Sequence, residues 1–344
     1  MMDLLKYKLH LGVLLFVVVT MASCKDSNVA KTVENRNNGP ALGTSYSIIY
    51  FSNKKIDYKE EIDSVFKVIN KSMSTYMSSS DISKINKGDS TLQVDHMFKD
   101  VFNLSKEINI KTDGYFDPTV GTLVNAWGFG PGEQIKLDSS KVDSLLEYVG
   151  FNKVELTNKG TINKTNSNIF FDFNAIAKGY SIDRLAVMLE KKGITDYLIE
   201  VGGEIYAKGE NLSKHKKWVV GINDPQIEDR SQYRAAVELQ NVAMASSGNY
   251  RHFRVDPVTK EKYVHTLNPK TGYTKNAKVL GATIITTNCA KADGYATSFM
   301  AMDLEDSKKI IENDSTLEAY IIYLDDKGET KDYITEGFRK LILK

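Results

Sequence analysis

Cysteine is scarce in this chain of 344 residues: there are two, Cys24 and Cys289, too few for a disulfide framework, so a large core must hold the fold. Proline is also scarce, at 6 positions, while 42% of residues are hydrophobic, which is the composition of an ordinary folded globular protein. Charge of one sign is missing: 45 basic residues face 44 acidic ones, and this balance argues against general nucleic-acid binding. There is no GxGxxG, no P-loop and no GxSxG elbow, and no His/Cys cluster of the kind that holds zinc. Clear short-period repeats and low-complexity segments are absent as well.

What is present begins at the N-terminus. Lys6 and Lys8 precede an apolar run over residues 9–20, broken by His10 and closed by Thr20, and Met21-Ala22-Ser23 leads into Cys24. The run is shorter than the ~20 apolar residues a spanning helix needs, so it reads as a secretory signal peptide. The stretch resembles a bacterial lipobox, with Met21 where Leu is usual. The expectation is a signal peptide over residues 1–23, cleavage before Cys24, and acyl chains on Cys24 that bury roughly 0.8 kcal/mol per CH₂ in a bilayer. The protein would then be an exported lipoprotein, membrane-anchored and facing the periplasm; plain secretion with an incidental cysteine is the other reading. Cleavage removes two Lys and one Asp, leaving 43 residues of each sign, and leaves Cys289 without an intramolecular partner.

Residues 25–40 are polar and lack periodicity, which predicts a flexible tether from Cys24 to a domain over residues 41–344. Residues 44–51 read as a strand. Residues 57–74 have helical spacing, with Ile62, Val65, Phe66 and Ile69 on one face, and residues 95–111 and 138–149 are further helix candidates. A short strand is expected at 169–173 and a helix at 176–192, closed by Gly193. A strand-rich stretch follows, at 197–201, 204–208, 218–222, 235–239, 250–255 and 263–265. Residues 279–286 read as a buried strand, 289–302 as a helix and 317–324 as a late strand. Consecutive strands without intervening helices predict an α+β fold, mainly antiparallel sheets flanked by helices, in a single large domain.

Five segments are too rich in Gly, Asp, Thr and His to serve the core alone. Tyr115, Phe116 and Asp117 lie in a turn bracketed by Gly114 and Pro118; Asp117 before Pro118 equally fits a helix N-cap. Asp172 to Lys178 marks a strand-to-helix junction where free N–H groups and the Lys178 charge suit a phosphate, or where Asp172 simply caps and Lys178 is solvated. Gly202-Gly203, followed by Glu204, is a turn or a close approach of backbone to ligand. Ser246-Ser247-Gly248-Asn249-Tyr250-Arg251 and then His265, Leu267 and Asn268 gather hydroxyls, an Arg and a His along one hairpin-like region. Asp293 and Thr297, four apart on a helix, turn two oxygens the same way. Completed by backbone carbonyls and phosphate oxygens, they would suit Mg²⁺; a helix-terminal Asp beside a buried Thr is the plainer alternative.

Taken in order, these segments resemble the FAD:protein FMN transferase family, the ApbE-type lipoproteins. The resemblance runs through Leu42-Gly43-Thr44, Ser74-Thr75-Tyr76, residues 80–86, 114–130, 172–183, 202–209, 218–225, 247–253, 265–272 and 293–297. It implies a T-fold-like domain that binds FAD as substrate with Mg²⁺ at the pyrophosphate. A Thr (or Ser) hydroxyl of an acceptor flavoprotein, by implication a membrane redox complex subunit, attacks the FMN phosphorus and AMP leaves. By the same resemblance Ala175 through its carbonyl, Asp293, Ala296 and Thr297 belong to the metal site. Leu42, Tyr76, Tyr115, Phe116, Asp117, Asp172, Lys178, Ser247 and Leu267 belong to the FAD site, and His265 and Arg251, with Asp293, to the catalytic groups. Three departures stand out: Leu42 where Met is frequent, Asn268 where Asp is frequent, and Phe173-Asn174 where Leu-Gly or Leu-Ser is usual. FAD hydrolysis to FMN and AMP, and flavin storage without chemistry, are the rival functions.

Overall fold

The computed structural model describes residues 32–227, 232–248, 253–255, 262–264, 266–274 and 278–343. Its strands are β1 (Val33–Ala41), β2 (Thr44–Ser52), β3 (Val154–Leu156), β4 (Ile162–Lys164), β5 (Tyr197–Val201), β6 (Glu204–Lys208), β7 (Trp218–Asn223), β8 (Tyr233–Leu239), β9 (Val242–Gly248), β10 (Phe253–Val255), β11 (Lys262–Val264), β12 (Val279–Thr286), β13 (Glu318–Leu324) and β14 (Thr330–Ile334). Its helices are α1 (Lys59–Met73), α2 (Asp81–Asn86), α3 (His96–Lys111), α4 (Gly121–Ala126), α5 (Ser139–Leu146), α6 (Ala177–Lys191), α7 (Cys289–Ala301), α8 (Leu304–Asn313) and α9 (Glu336–Arg339).

One sheet of eight strands, in the order β1-β2-β5-β6-β9-β12-β13-β14, organises the molecule. Every neighbouring pair is antiparallel, as the run of consecutive strands predicts. The period of two along its strands sends alternate side chains to two different cores. Ala245, Ala282, Ile284, Ala319 and Ile321 join the helical layer, while Met244, Ile285, Tyr320 and Ile322 meet Trp218, Val237, Leu239 and Phe338 on the other face. Both faces are therefore covered, by helices on one side and by the β7–β8 hairpin with α9 on the other. This is why β12 is mostly apolar and buried along nearly its whole length.

On the helical side α1 buries Ile62, Phe66, Ile69 and Met73, one stripe of an amphipathic helix. It packs on α6, which in turn packs on α7, and α7 lies across β9 and β12. The small residues Ala243, Ala245 and Ala282 beneath α7 let that helix approach the sheet closely. α3 starts where the Asp95 carboxylate accepts the Phe98 N–H at 2.8 Å.

Four expectations are corrected. Residues 33–40 are not tether: they form most of β1, in register with β2 from Val33↔Ser52 to Ala41↔Thr44. The inward positions are Asn35 and Asn37, so no apolar alternation announces the strand. Their amides are satisfied instead by Ser52, Asp57, Tyr50 and the Ile56 N–H. Residues 169–173 form no named strand, only a bridge between Phe170 and Val120. The backbone of Phe171 is paired by a side chain: Asn86 Nδ2 donates to its carbonyl at 2.9 Å and its N–H donates to Asn86 Oδ1 at 2.7 Å. The Ser246-Ser247-Gly248 segment is the end of a strand, β9, at the centre of the sheet. The helix expected at 138–149 is shorter, covering Ser139–Leu146. The strands expected at 250–255 and 263–265 correspond to β10 and β11, which pair antiparallel from Phe253↔Val264 to Val255↔Lys262. Cys24 and the rest of residues 1–31 lie outside the described residues.

Candidate functional site

A buried polar cluster lies where the N-termini of α6 and α7 meet the start of β6. Asp293, one turn into α7, is 2% exposed. The Gly179 N–H donates to its Oδ2 at 3.1 Å, and Lys178 Nζ stands 3.6 Å from the same oxygen. Lys178 Nζ also stands 3.1 Å from Oε1 of Glu204, itself 3% exposed. One cation is thus shared by two buried carboxylates. Burial pushes the Asp293 carboxyl up to about 7; Lys178 and the Gly179 N–H oppose the rise and Glu204 adds to it. Burial alone would lower the Lys178 ammonium, but Asp293 and Glu204 outweigh it and hold the group protonated.

The two helices are clasped in both directions. While α6 gives its Gly179 N–H to Asp293 of α7, Asp183 of α6 accepts the Cys289 N–H at 2.7 Å and the Ala290 N–H at 2.9 Å. Asn288 accepts the Lys291 N–H at 2.8 Å, which completes the start of α7. An α6 regular to its first turn would give the Gly179 N–H to the carbonyl of Ala175. It goes to Asp293 instead, and among the described residues no backbone N–H is given to the Ala175 carbonyl.

One turn beyond Asp293, Thr297 Oγ1 lies 3.5 Å from Ser247 Oγ on β9. The structure therefore brings together Lys178, Asp293, Thr297 and Ser247. Ala296 is fully buried on α7 in the core. Ala175 packs at the edge of that core.

Asp117 and Asp172 sit in two adjacent loops tied by Asp172 N–H to the Pro118 carbonyl at 2.7 Å and Gly121 N–H to the Phe170 carbonyl at 3.1 Å. Asp117 caps no helix. Its Oδ1 accepts from the N–H and hydroxyl of Thr119, and its Oδ2 accepts the Phe151 N–H at 2.9 Å. Asp172 accepts the Asn174 N–H at 2.7 Å, three residues ahead of α6. Burial raises the carboxyl of each above the ordinary range, against those hydrogen bonds. Phe116 is core, with its carbonyl held by Asn109 Nδ2 at 2.7 Å. Tyr115 carries the Lys270 ammonium over its ring at 4.7 Å, and Lys270 pairs with Asp113 at 2.6 Å.

Leu42 and Gly43 are the two turn residues between β1 and β2, both at positive φ, the geometry of a two-residue hairpin. Leu42 packs against both helical cores. Tyr76 is 64% exposed, with its hydroxyl 3.5 Å from the Phe129 carbonyl. Leu267 is buried with Leu123 and Val149. Asn268, in the position where Asp was the usual residue, accepts the Lys270 N–H at 2.9 Å, which a neutral amide oxygen does as well as a carboxylate. His265 and Arg251 lie outside the described residues.

Two site residues were not singled out for chemistry in the sequence, Glu204 and Asp183. A Gly pair before Glu204 is visible, but its partner Lys178 is on another element, and nothing local joins them. Among the described residues there is no group of three or more His, Cys, Asp or Glu side chains arranged for a metal. A hard cation here would rely on one carboxylate, a hydroxyl and a carbonyl. The donors fit: both partners of Asp293 sit on Oδ2, the Ala175 carbonyl takes no backbone N–H, and Thr297 makes only a long contact.

Comparison with known proteins places the chain in a family. The model of the ApbE family matches residues 42–321. A Haemophilus influenzae protein named FAD:protein FMN transferase is 30% identical over 340 residues, covering 94% of this chain and 95% of its own. A Vibrio cholerae protein of the same name is 31% identical, covering 89% of this chain and 92% of its own. Among solved structures, the flavin transferase ApbE from Vibrio cholerae superposes with a TM-score of 0.80 at 30% identity, covering 90% of this chain and 100% of that one. The flavinyl transferase ApbE of Pseudomonas stutzeri, in its apo form, gives 0.78 at 25% identity. The family match and the near full-length relatives lead to one conclusion: the chain belongs to the ApbE family.

Proposed function

We propose that this protein is an FAD:protein FMN transferase that moves FMN from FAD to a Thr (or Ser) hydroxyl of an acceptor flavoprotein and releases AMP. The observation that carries the reading is the buried Asp293–Lys178–Glu204 cluster at the junction of α6 and α7. A partly buried lysine beside a helix N-terminus suits a phosphate, and a buried carboxylate with an oxygen to spare suits a hard cation. Asp293, Thr297 and the Ala175 carbonyl would hold Mg²⁺, with Ala296 beside them. Bound there, it would neutralise charge on the pyrophosphate.

The chain's own groups do the rest. Lys178 would neutralise a phosphate oxygen, and Ser247, beside Thr297, would donate to another. Tyr76 offers an exposed ring for stacking, while the loops of Tyr115–Asp117 and Asp172, with Leu42 and Leu267, would line the flavin site. His265 and Arg251 are assigned to the phosphate or the incoming hydroxyl. Transfer would rest on positioning and charge neutralisation.

Cys24 would place the enzyme on the periplasmic side of a membrane, where a membrane-bound acceptor meets it at raised effective concentration. The test is to incubate the purified protein with FAD and Mg²⁺, with and without an acceptor domain, and to follow AMP and covalent flavin. AMP with flavin on the acceptor supports transfer. AMP and free FMN without acceptor indicate hydrolysis, and no AMP in either arm refutes catalysis.

A further inference from the structure

Glu204 stands outside the groups just assigned, yet its surroundings are unusual for a carboxylate. It opens β6 directly after Gly202 and Gly203, whose φ values of 63° and 105° turn the chain sharply from β5. A β-carbon on Gly202 would come 2.8 Å from Thr44 Cγ2, so the turn is tight against β2 and fixes where β6 begins. Glu204 Oε1 meets Lys178 Nζ at 3.1 Å. Its Oε2 is buried and has no hydrogen-bond partner among the described residues. A buried carboxylate with one oxygen unsatisfied is costly, and such costs persist where function uses them.

Lys178 lies nearer to Glu204, at 3.1 Å, than to Asp293, at 3.6 Å. In the absence of Glu204 the ammonium would have a single buried carboxylate to pair with, and it would close on Asp293. Paired in that way, it would compete with any cation for the carboxylate.

We infer that Glu204 is a positioning residue that holds Lys178 off Asp293 and so keeps Asp293 available to a divalent cation. The inference rests on the reading of Asp293 as a metal ligand. It separates two effects that a simple loss of charge would merge, because Glu204 acts through Lys178 rather than on the cation directly.

The experiment titrates Mn²⁺ into the wild-type protein, Glu204→Gln, Lys178→Met and the double variant, without nucleotide and with FAD. Free Mn²⁺ is read by electron paramagnetic resonance, and folding by circular dichroism. Glu204→Gln is expected to weaken Mn²⁺ binding about tenfold or more while the protein stays folded. In the Lys178→Met background the same change is expected to shift Mn²⁺ binding less than about threefold, because no ammonium remains to be held. Should Glu204→Gln not fold, Glu204→Asp, which keeps the charge but shortens its reach, is expected to bind Mn²⁺ more weakly than wild type. Wild-type affinity in the folded Glu204 variant overturns the inference alone, as does full weakening in the Lys178→Met background. A wild-type protein that takes up no Mn²⁺ even with FAD removes the metal reading and this inference with it.

Discussion

Gly179 of α6 lies against the backbone of Cys289 at the start of α7. A β-carbon at position 179 would overlap the Cys289 carbonyl oxygen and stand 2.6 Å from its carbon and 2.8 Å from Ala290 Cα. Backbone cannot yield as a side chain can, so Gly179→Ala must push the two helices apart. The Gly179 to Asp293 hydrogen bond and the Asp183 clasp would both stretch. The expected result is a loss of about 1–3 kcal/mol of stability, by overpacking, and a fall in FMN transfer of about a hundredfold or more. Gly294→Ala is the control. Its β-carbon would be crowded by the end of the Ile108 side chain at 2.6 Å, with Phe116 and Ile176 at ordinary contact distances of 3.6 and 3.8 Å, so the loss measured by urea unfolding should be smaller.

The clasp also carries a pH signature. Burial pushes the Asp183 carboxyl up to about 6, against the two N–H groups of Cys289 and Ala290. A carboxyl that is raised in the folded state binds its proton more tightly there than in the unfolded chain. Its contribution to stability therefore falls as pH rises from about 4 to about 6, and is constant above that. Other carboxyls, such as Asp314 held low by its partners, slope the opposite way, so the prediction concerns a difference. Subtracting the unfolding free energy of Asp183→Asn from that of wild type should give a quantity that declines across this window. A flat difference would show that Asp183 titrates normally.

Much of this frame was legible in the sequence, and the parts that were not have identifiable causes. Strands β2, β5, β6, β12 and β13 and helices α1, α3, α6 and α7 follow from period and end signals, because packing there agrees with local pattern. β1 was hidden because Asn35 and Asn37 occupy its inward positions and are satisfied by distant side chains. Residues 169–173 have the composition of a strand, but Asn86 supplies the hydrogen bonds a neighbouring strand would give. At the site, Asp293, Thr297, Lys178 and Ser247 were all singled out, and they converge. Glu204 was not, because its meaning lies in a contact between elements that only the fold creates.

Tyr76 is the expected flavin contact with the least structural work to do. It is 64% exposed, and its hydroxyl makes one long contact, 3.5 Å to the Phe129 carbonyl. Tyr76→Ala should therefore leave the unfolding free energy within about 0.5 kcal/mol of wild type. Loss of a stacked ring costs roughly 0.5–1.5 kcal/mol, so FAD should bind up to about tenfold more weakly. Quenching of flavin fluorescence on titration measures it. Unchanged affinity would remove Tyr76 from the flavin site.

If Mg²⁺ binds at Asp293 as proposed, the Mg²⁺ requirement should depend on pH in one direction. The Asp293 carboxyl, raised to about 7 by burial, is largely protonated below that pH in the metal-free protein. A divalent cation must then displace the proton to bind, so the two compete for one site. The half-saturating Mg²⁺ concentration for FMN transfer should rise about tenfold for each pH unit below about 7 and level off above it. The maximal rate at saturating Mg²⁺ should change far less over the same range if the proton matters only by blocking the metal. Asp293→Ala should abolish turnover at every pH, because neither the hydroxyl of Thr297 nor the Ala175 carbonyl brings the negative charge a hard cation needs. A half-saturating Mg²⁺ concentration that stays constant from pH 5.5 to 8, with activity retained in Asp293→Ala, would place the cation elsewhere and leave the Lys178–Asp293 pair a structural one.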